Sequence, residues 1–170
     1  GMERGEGSTV FFERLASSRG VQYVGVDIEP RLTTGEFHQM PGEQYLQTTT
    51  KTFSIVYLDN FDWNYWQDDT AGPVVRLDAP VYQKHMNQRL TNVNSQKSHL
   101  LQAIALTDHL TPEAVIQCDD TWWEPTYMTY MGKCSSAIPY LLSIGFDVVH
   151  CEGKGNSPQS TVIMCRHDTK

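Results

Sequence analysis

The sequence predicts an α/β fold, with a doubly wound, mostly parallel sheet that ends in an antiparallel hairpin, and three observations predict it. Short apolar, β-branched runs at 21–28, 53–58 and 114–118 each close on acidic residues: Asp27, Asp59 and the pair Asp119 and Asp120. Segments of helical periodicity lie between them. The last two apolar runs, 146–151 and 161–165, are joined only by a turn containing Gly-Lys-Gly-Asn-Ser-Pro, which folds the chain back instead of crossing over.

Each element has its own warrant. The glycine-rich turn at 3–7 feeds a helix over 9–18, in which Val10, Phe11, Arg14 and Leu15 fall near one face and Gly20 follows the end. The strand 21–28 is stopped by Pro30. A weaker strand, 36–40, precedes a short helix at 43–47; the link between the two strands is shorter than the ~10–12 residues of an ordinary parallel crossover. A helix over 95–109, capped by Ser95 and carrying Leu100, Leu101, Ile104 and Ala105, makes 53–58 and 114–118 parallel neighbours. A helix over 135–143, ended by Gly145, leads into the hairpin. The stretch 60–94 is polar, rich in Trp, Tyr, Asp and Asn, and lacks sustained periodicity, so it is expected to be a substrate or lid insertion within a single domain spanning 1–170.

Composition narrows the function. A 170-residue chain suits one domain. Its formal charge of −7 and lack of a basic cluster argue against a nucleic-acid surface, so no nucleic-acid partner is expected. No apolar run approaches the roughly 20 residues of a membrane-spanning helix, and no basic segment leads an apolar one at the start; no membrane partner and a cytoplasmic location are expected. Cys118, Cys134, Cys151 and Cys165 show no C-x-x-C spacing and read as buried thiols.

Ligands of open α/β sheets bind beyond the carboxyl ends of the strands, where Asp27, Asp59, Asp119 and Asp120 should lie. Asp27, about twenty residues after a glycine turn, is placed to accept hydrogen bonds from ribose hydroxyls. Three carboxylates at neighbouring strand ends need a positive charge among them. Mg²⁺ is one remedy, and pairing with Lys133, with backbone amides or with a cofactor ammonium is another. His99, and less so His85, could deprotonate a hydroxyl. Trp63, Trp66, Trp122 and Trp123 flank the acids and could wall an aromatic pocket or simply pack a lid.

These residues resemble the class I S-adenosylmethionine-dependent methyltransferases, in the small O-methyltransferase branch that includes catechol O-methyltransferase, over nearly the whole chain. Glu3-x-Gly5-x-Gly7 is similar to the family's E/D-x-G-x-G turn, Val24-Gly25-Val26-Asp27 to its second-strand motif and Val56-Tyr57-Leu58-Asp59 to its fourth. Ile116-Gln117-Cys118-Asp119-Asp120-Thr121 is similar to its fifth strand, and Gly132-Lys133 to Gly145-Phe146 follows the branch's next helix and strand. The resemblance implies a Rossmann-like methyltransferase fold and methyl transfer from S-adenosylmethionine to a hydroxyl of a small-molecule acceptor. It places Glu3, Gly5 and Gly7 by the methionine part of the cofactor, Asp27 on the ribose and Glu43 and Gln44 near the adenine. Asp59, Asp119 and Asp120 fall on positions that hold Mg²⁺ in catechol-type enzymes, with Asp59 and His99 as catalytic candidates.

Two features depart from the family. Asn60, not lysine, follows Asp59, and only Gly1-Met2 stands where the first, central strand belongs. That strand is expected to be truncated or absent, with a homodimer or another segment filling the gap. The departure motivates a rival reading, a non-catalytic or truncated methyltransferase-fold module. A nicotinamide-dependent (NAD(P)) oxidoreductase is a third, opposed by Val10 where G-x-G-x-x-G needs its last glycine and by the terminal hairpin.

Overall fold

Helix α1 (Gly7–Arg19) ends where Gly20 takes φ +63°, so that Gly20 N–H reaches the Ser17 carbonyl and Val21 N–H the Ala16 carbonyl. This paired closure satisfies the last carbonyls of the helix, and Arg19 in the final turn complements its dipole. The computed structural model describes residues 7–29, 33–60, 62–65, 73–153 and 160–166, with the backbone alone for 73–77. The protein is mixed α/β, and its chain divides into two compact units, Gly1–Tyr45 and Leu46–Lys170.

In the first unit, β1 (Val24–Asp27) and β2 (Glu36–Gln39) form a two-stranded parallel sheet in which Asp27 stands opposite Gln39. The short link between them is tied to α1. One oxygen of the Glu13 carboxylate accepts from the Thr33 hydroxyl and from the backbone N–H groups of Thr34 and Gly35, at 2.8 and 3.2 Å for the amides. Helix α2 (Gly42–Thr48) follows β2.

The second unit holds a four-stranded sheet in the order β3-β4-β8-β7, built from β3 (Phe53–Leu58), β4 (Leu110–Asp119), β7 (Phe146–Glu152) and β8 (Thr161–Arg166). β3 and β4 are parallel, whereas β8 runs antiparallel to both its neighbours. The core follows the two-residue period of β4, whose Ala114, Ile116 and Cys118 are fully buried. Across the ladder, Met164 opposes Ile116 and Val162 opposes Cys118. Helix α4 (Asn92–Leu106), the short 3₁₀ turn Thr107–His109 after it, and α5 (Ala137–Ser143) connect the strands and bury Ala103, Leu106, Ile138 and Leu141.

Four expectations change. Stretch 60–94 contains a helix, α3 (Pro73–Met86), and the beginning of α4. Pro73 is acceptable at a first helical position because its missing N–H would have no partner there, but Pro80 in the interior breaks the pattern by which a helix is read. The crossover helix is capped by Thr91, whose hydroxyl accepts from Asn94 N–H at 3.1 Å, and Ser95 lies buried inside it. Beyond β4, Thr121–Glu124 (β5) and Thr129–Gly132 (β6) form an antiparallel hairpin that periodicity did not announce. The β4 strand also begins earlier than its apolar run. Its register with β3 shifts between Phe53 and Ile55, an irregularity beside which Pro112, which has no N–H to donate, lies in β4.

Candidate functional site

The acids at the ends of β3 and β4 meet. Asp59 leaves β3, while Asp119 ends β4, and Asp120 takes φ +44°, a left-handed conformation that Asp tolerates better than most residues. That turn starts β5, and the hairpin carries the chain back so that Gly132 stands opposite Thr121. Gly132 has φ +96° and lies so close to Asp120 that a β-carbon would be 1.9 Å from its carbonyl oxygen; no other residue fits. The next residue, Lys133, donates its N–H to that same carbonyl at 3.1 Å. Thr121 braces the corner, donating its hydroxyl to the Asp119 carbonyl and accepting from Cys134 N–H.

The hairpin thus delivers Lys133 to the acids. Its ammonium lies 2.5 Å from Asp59, 2.9 Å from Asp120 and 3.8 Å from Asp119, on a side chain only 4% exposed. Burial pushes its pKa down, but the three carboxylates outweigh this and hold it well above the usual lysine value. Burial raises the Asp119 carboxyl to about 7, helped by the Asp59 charge and opposed by Lys133. A hydrogen bond between the Asp119 and Asp59 carboxyls contributes in the same direction, because it exists only while one of them is protonated.

Two tyrosines complete the cluster. Tyr65 donates its hydroxyl to Asp120 at 2.6 Å, and Tyr57, two residues before Asp59, hydrogen-bonds Asp119. Burial and then the neighbouring carboxylates push both phenols above their ordinary pKa. Tyr65 is positioned by a clamp: Asn64 N–H donates to the Asn92 side chain at 2.8 Å, and Asn92 donates back to the Asn64 carbonyl at 2.9 Å. The Tyr65 ring stacks on Trp122, which meets Trp63 edge-on at 6.2 Å. Trp66 lies outside the described residues.

His99, on α4, is fully buried, and its Nδ1–H donates to the Ser95 carbonyl at 2.7 Å, leaving Nε2 as a bare acceptor with no hydrogen-bond partner. Burial, followed by the Lys133 charge, lowers its pKa to about 4, so it is neutral at pH 7. His85 lies in the last turn of α3, exposed.

In the first unit, Asp27 closes β1 and accepts from Glu29 N–H at 3.0 Å. Glu43 and Gln44 form the first turn of α2, with Glu43 half-buried and Gln44 exposed. Gly7 opens α1, and Glu3 and Gly5 lie outside the described residues. Lys133 entered the sequence reading only as one way to neutralise the acids. Tyr65 had no sequence signal, whereas Tyr57 shares a strand face with Asp59 by the two-residue period.

The three carboxylates offer oxygens within 4.8 Å of one another, the donor type that Mg²⁺ takes. Lys133 nevertheless holds the place where an ion would sit, and Asp120 has one oxygen on Lys133 and the other on Tyr65. As arranged, these residues do not fit a divalent ion. Among the described residues no helix is long and apolar enough to cross a membrane. Compared with known proteins, the chain matches no family model and no curated protein.

Proposed function

We propose that the chain is an S-adenosylmethionine-dependent methyltransferase with a Rossmann-like, doubly wound fold, transferring a methyl group to a hydroxyl of a small molecule. The observation that carries this reading is the sheet β3-β4-β8-β7, in which an antiparallel last strand enters beside parallel strands that end on Asp59 and Asp119. A dinucleotide-type sheet would continue in parallel, so the same feature weighs against an oxidoreductase.

The donor set of the first unit suits the nucleoside. Asp27, an acceptor at the end of a parallel strand, would hold the ribose hydroxyls, with Glu43 and Gln44 serving the adenine; the family resemblance alone assigns Glu3, Gly5 and Gly7 to the methionine part. When bound, the cofactor supplies an electrophilic methyl group on sulfur. The chain's own contribution is to orient the acceptor hydroxyl and take its proton. Asp119, a quarter exposed and with a pKa of about 7, is the base matched to neutral pH, while Asp59, fixed by Lys133, orients the hydroxyl. His99, with a pKa near 4, gives a proton little reason to move to it.

The test has two arms. S-adenosylhomocysteine should raise the melting temperature, and calorimetry that detects no binding at millimolar ligand would sink the reading, with NADH binding instead pointing to the oxidoreductase. Incubation with S-adenosylmethionine and a panel of small hydroxyl compounds should then release S-adenosylhomocysteine. Once an acceptor is found, Asp119→Asn should lower kcat and abolish the fall in rate below pH ~7 that a base of that pKa imposes. An unchanged acid limb would remove Asp119 from the role.

A further inference from the structure

Three carboxylates, Asp59, Asp119 and Asp120, bring oxygens within 4.8 Å of one another, and the molecule answers their charge from within with Lys133. Mg²⁺ demands near-ideal octahedral geometry, with oxygens at about 2.0–2.1 Å. It would need carboxylate oxygens that Lys133 now holds on Asp59 and Asp120 and faces at 3.8 Å on Asp119. An ammonium and a dication cannot share that position, and the ammonium is tethered. The Lys133 backbone is fixed where its N–H meets the Asp120 carbonyl and Gly132 packs against that carbonyl, and its side chain, only 4% exposed, has little open solvent to swing into. The remaining acceptors are engaged as well: Tyr65 holds the second oxygen of Asp120, and Tyr57 hydrogen-bonds Asp119.

We infer that Lys133 is the resident cation of this site. A hydroxyl-bearing ligand therefore meets carboxylates ordered by an ammonium rather than by a divalent ion, and the cluster is a latent divalent site that opens when the lysine charge is removed. Lysine suits the role as a compact point charge: its ammonium donates to Asp59 and Asp120 and stands 3.8 Å from Asp119 as a longer ion pair. The inference concerns cation occupancy, so it stands or falls separately from methyl transfer.

Manganese titration of the full chain, followed by the paramagnetic resonance signal of the free aqueous ion, tests it. Wild-type protein should leave the Mn²⁺ signal unchanged up to millimolar metal. Lys133→Met, an unbranched side chain one atom shorter that loses the charge, should bind one equivalent of Mn²⁺. Mg²⁺ should compete for it, and the further change Asp119→Asn should abolish it. Wild-type protein that binds one equivalent of Mn²⁺, lost in Asp59→Asn or Asp119→Asn, would overturn the inference, and that arm decides even if Lys133→Met fails to fold. A folded Lys133→Met variant that takes up no metal would overturn the latent site.

Discussion

Asp119 and His99 are shifted in opposite senses, and their effects on stability run against each other between pH 4 and 7. The Asp119 carboxyl is raised from an ordinary 3.8 to about 7, so its folded form prefers the proton. Its contribution is fully present below the unfolded value and is lost as pH rises through 7. His99 is lowered from 6.5 to about 4, so its contribution is present above 6.5 and is lost as pH falls toward 4. Melting curves should separate the two. Asp119→Asn should gain stability relative to wild type between pH 5 and pH 8.5, because it removes the cost of ionising Asp119. His99→Asn keeps a donor for the Ser95 carbonyl, and its deficit should shrink as pH falls from 7 to 4.5. A difference independent of pH in either variant would contradict the assigned shift.

At the scale of elements, the β5–β6 hairpin matters most for the site, since it returns the chain to Asp120 and presents Lys133. Gly132→Ala should destabilise by about 3 kcal/mol or more, because the added carbon meets the Asp120 carbonyl and the backbone is left-handed. Denaturant unfolding would measure this; a loss under ~1 kcal/mol would show that the corner yields. The elements legible in the sequence were those with an unbroken pattern. Strand 53–58 matches β3, the helix at 9–18 lies inside α1, and the terminal hairpin is antiparallel. The β5–β6 hairpin was not legible, because Thr121-Trp-Trp-Glu has no clean alternation and its turn lacks the usual Asn-Gly signal. Helix α3 was hidden by Pro80. The acids of the candidate site could be read from strand ends alone, whereas Lys133 and Tyr65 reach them only through the hairpin and the Asn64–Asn92 clamp, contacts between distant segments.

At the scale of the whole molecule, the two units carry unequal structural support. A two-stranded sheet is marginal by itself, whereas the four-stranded sheet buries Ile116, Val162 and Met164 completely. Native-state hydrogen exchange should therefore find the amides of β4 and β8 most protected and those of β1 and β2 opening at lower free energy, and equal protection in the two sheets would count against this division. The position of β8 has a consequence for synthesis. β4 and β7 are joined only through β8, the last of the four strands to leave the ribosome. While the chain is being made, β7 has no neighbour to pair with, and the sheet stays in two pieces until Thr161–Arg166 emerges and slots between them. A nascent chain halted before residue 161 would leave the β8-facing edges of β4 and β7 unpaired, open edges of the kind that pair with another chain.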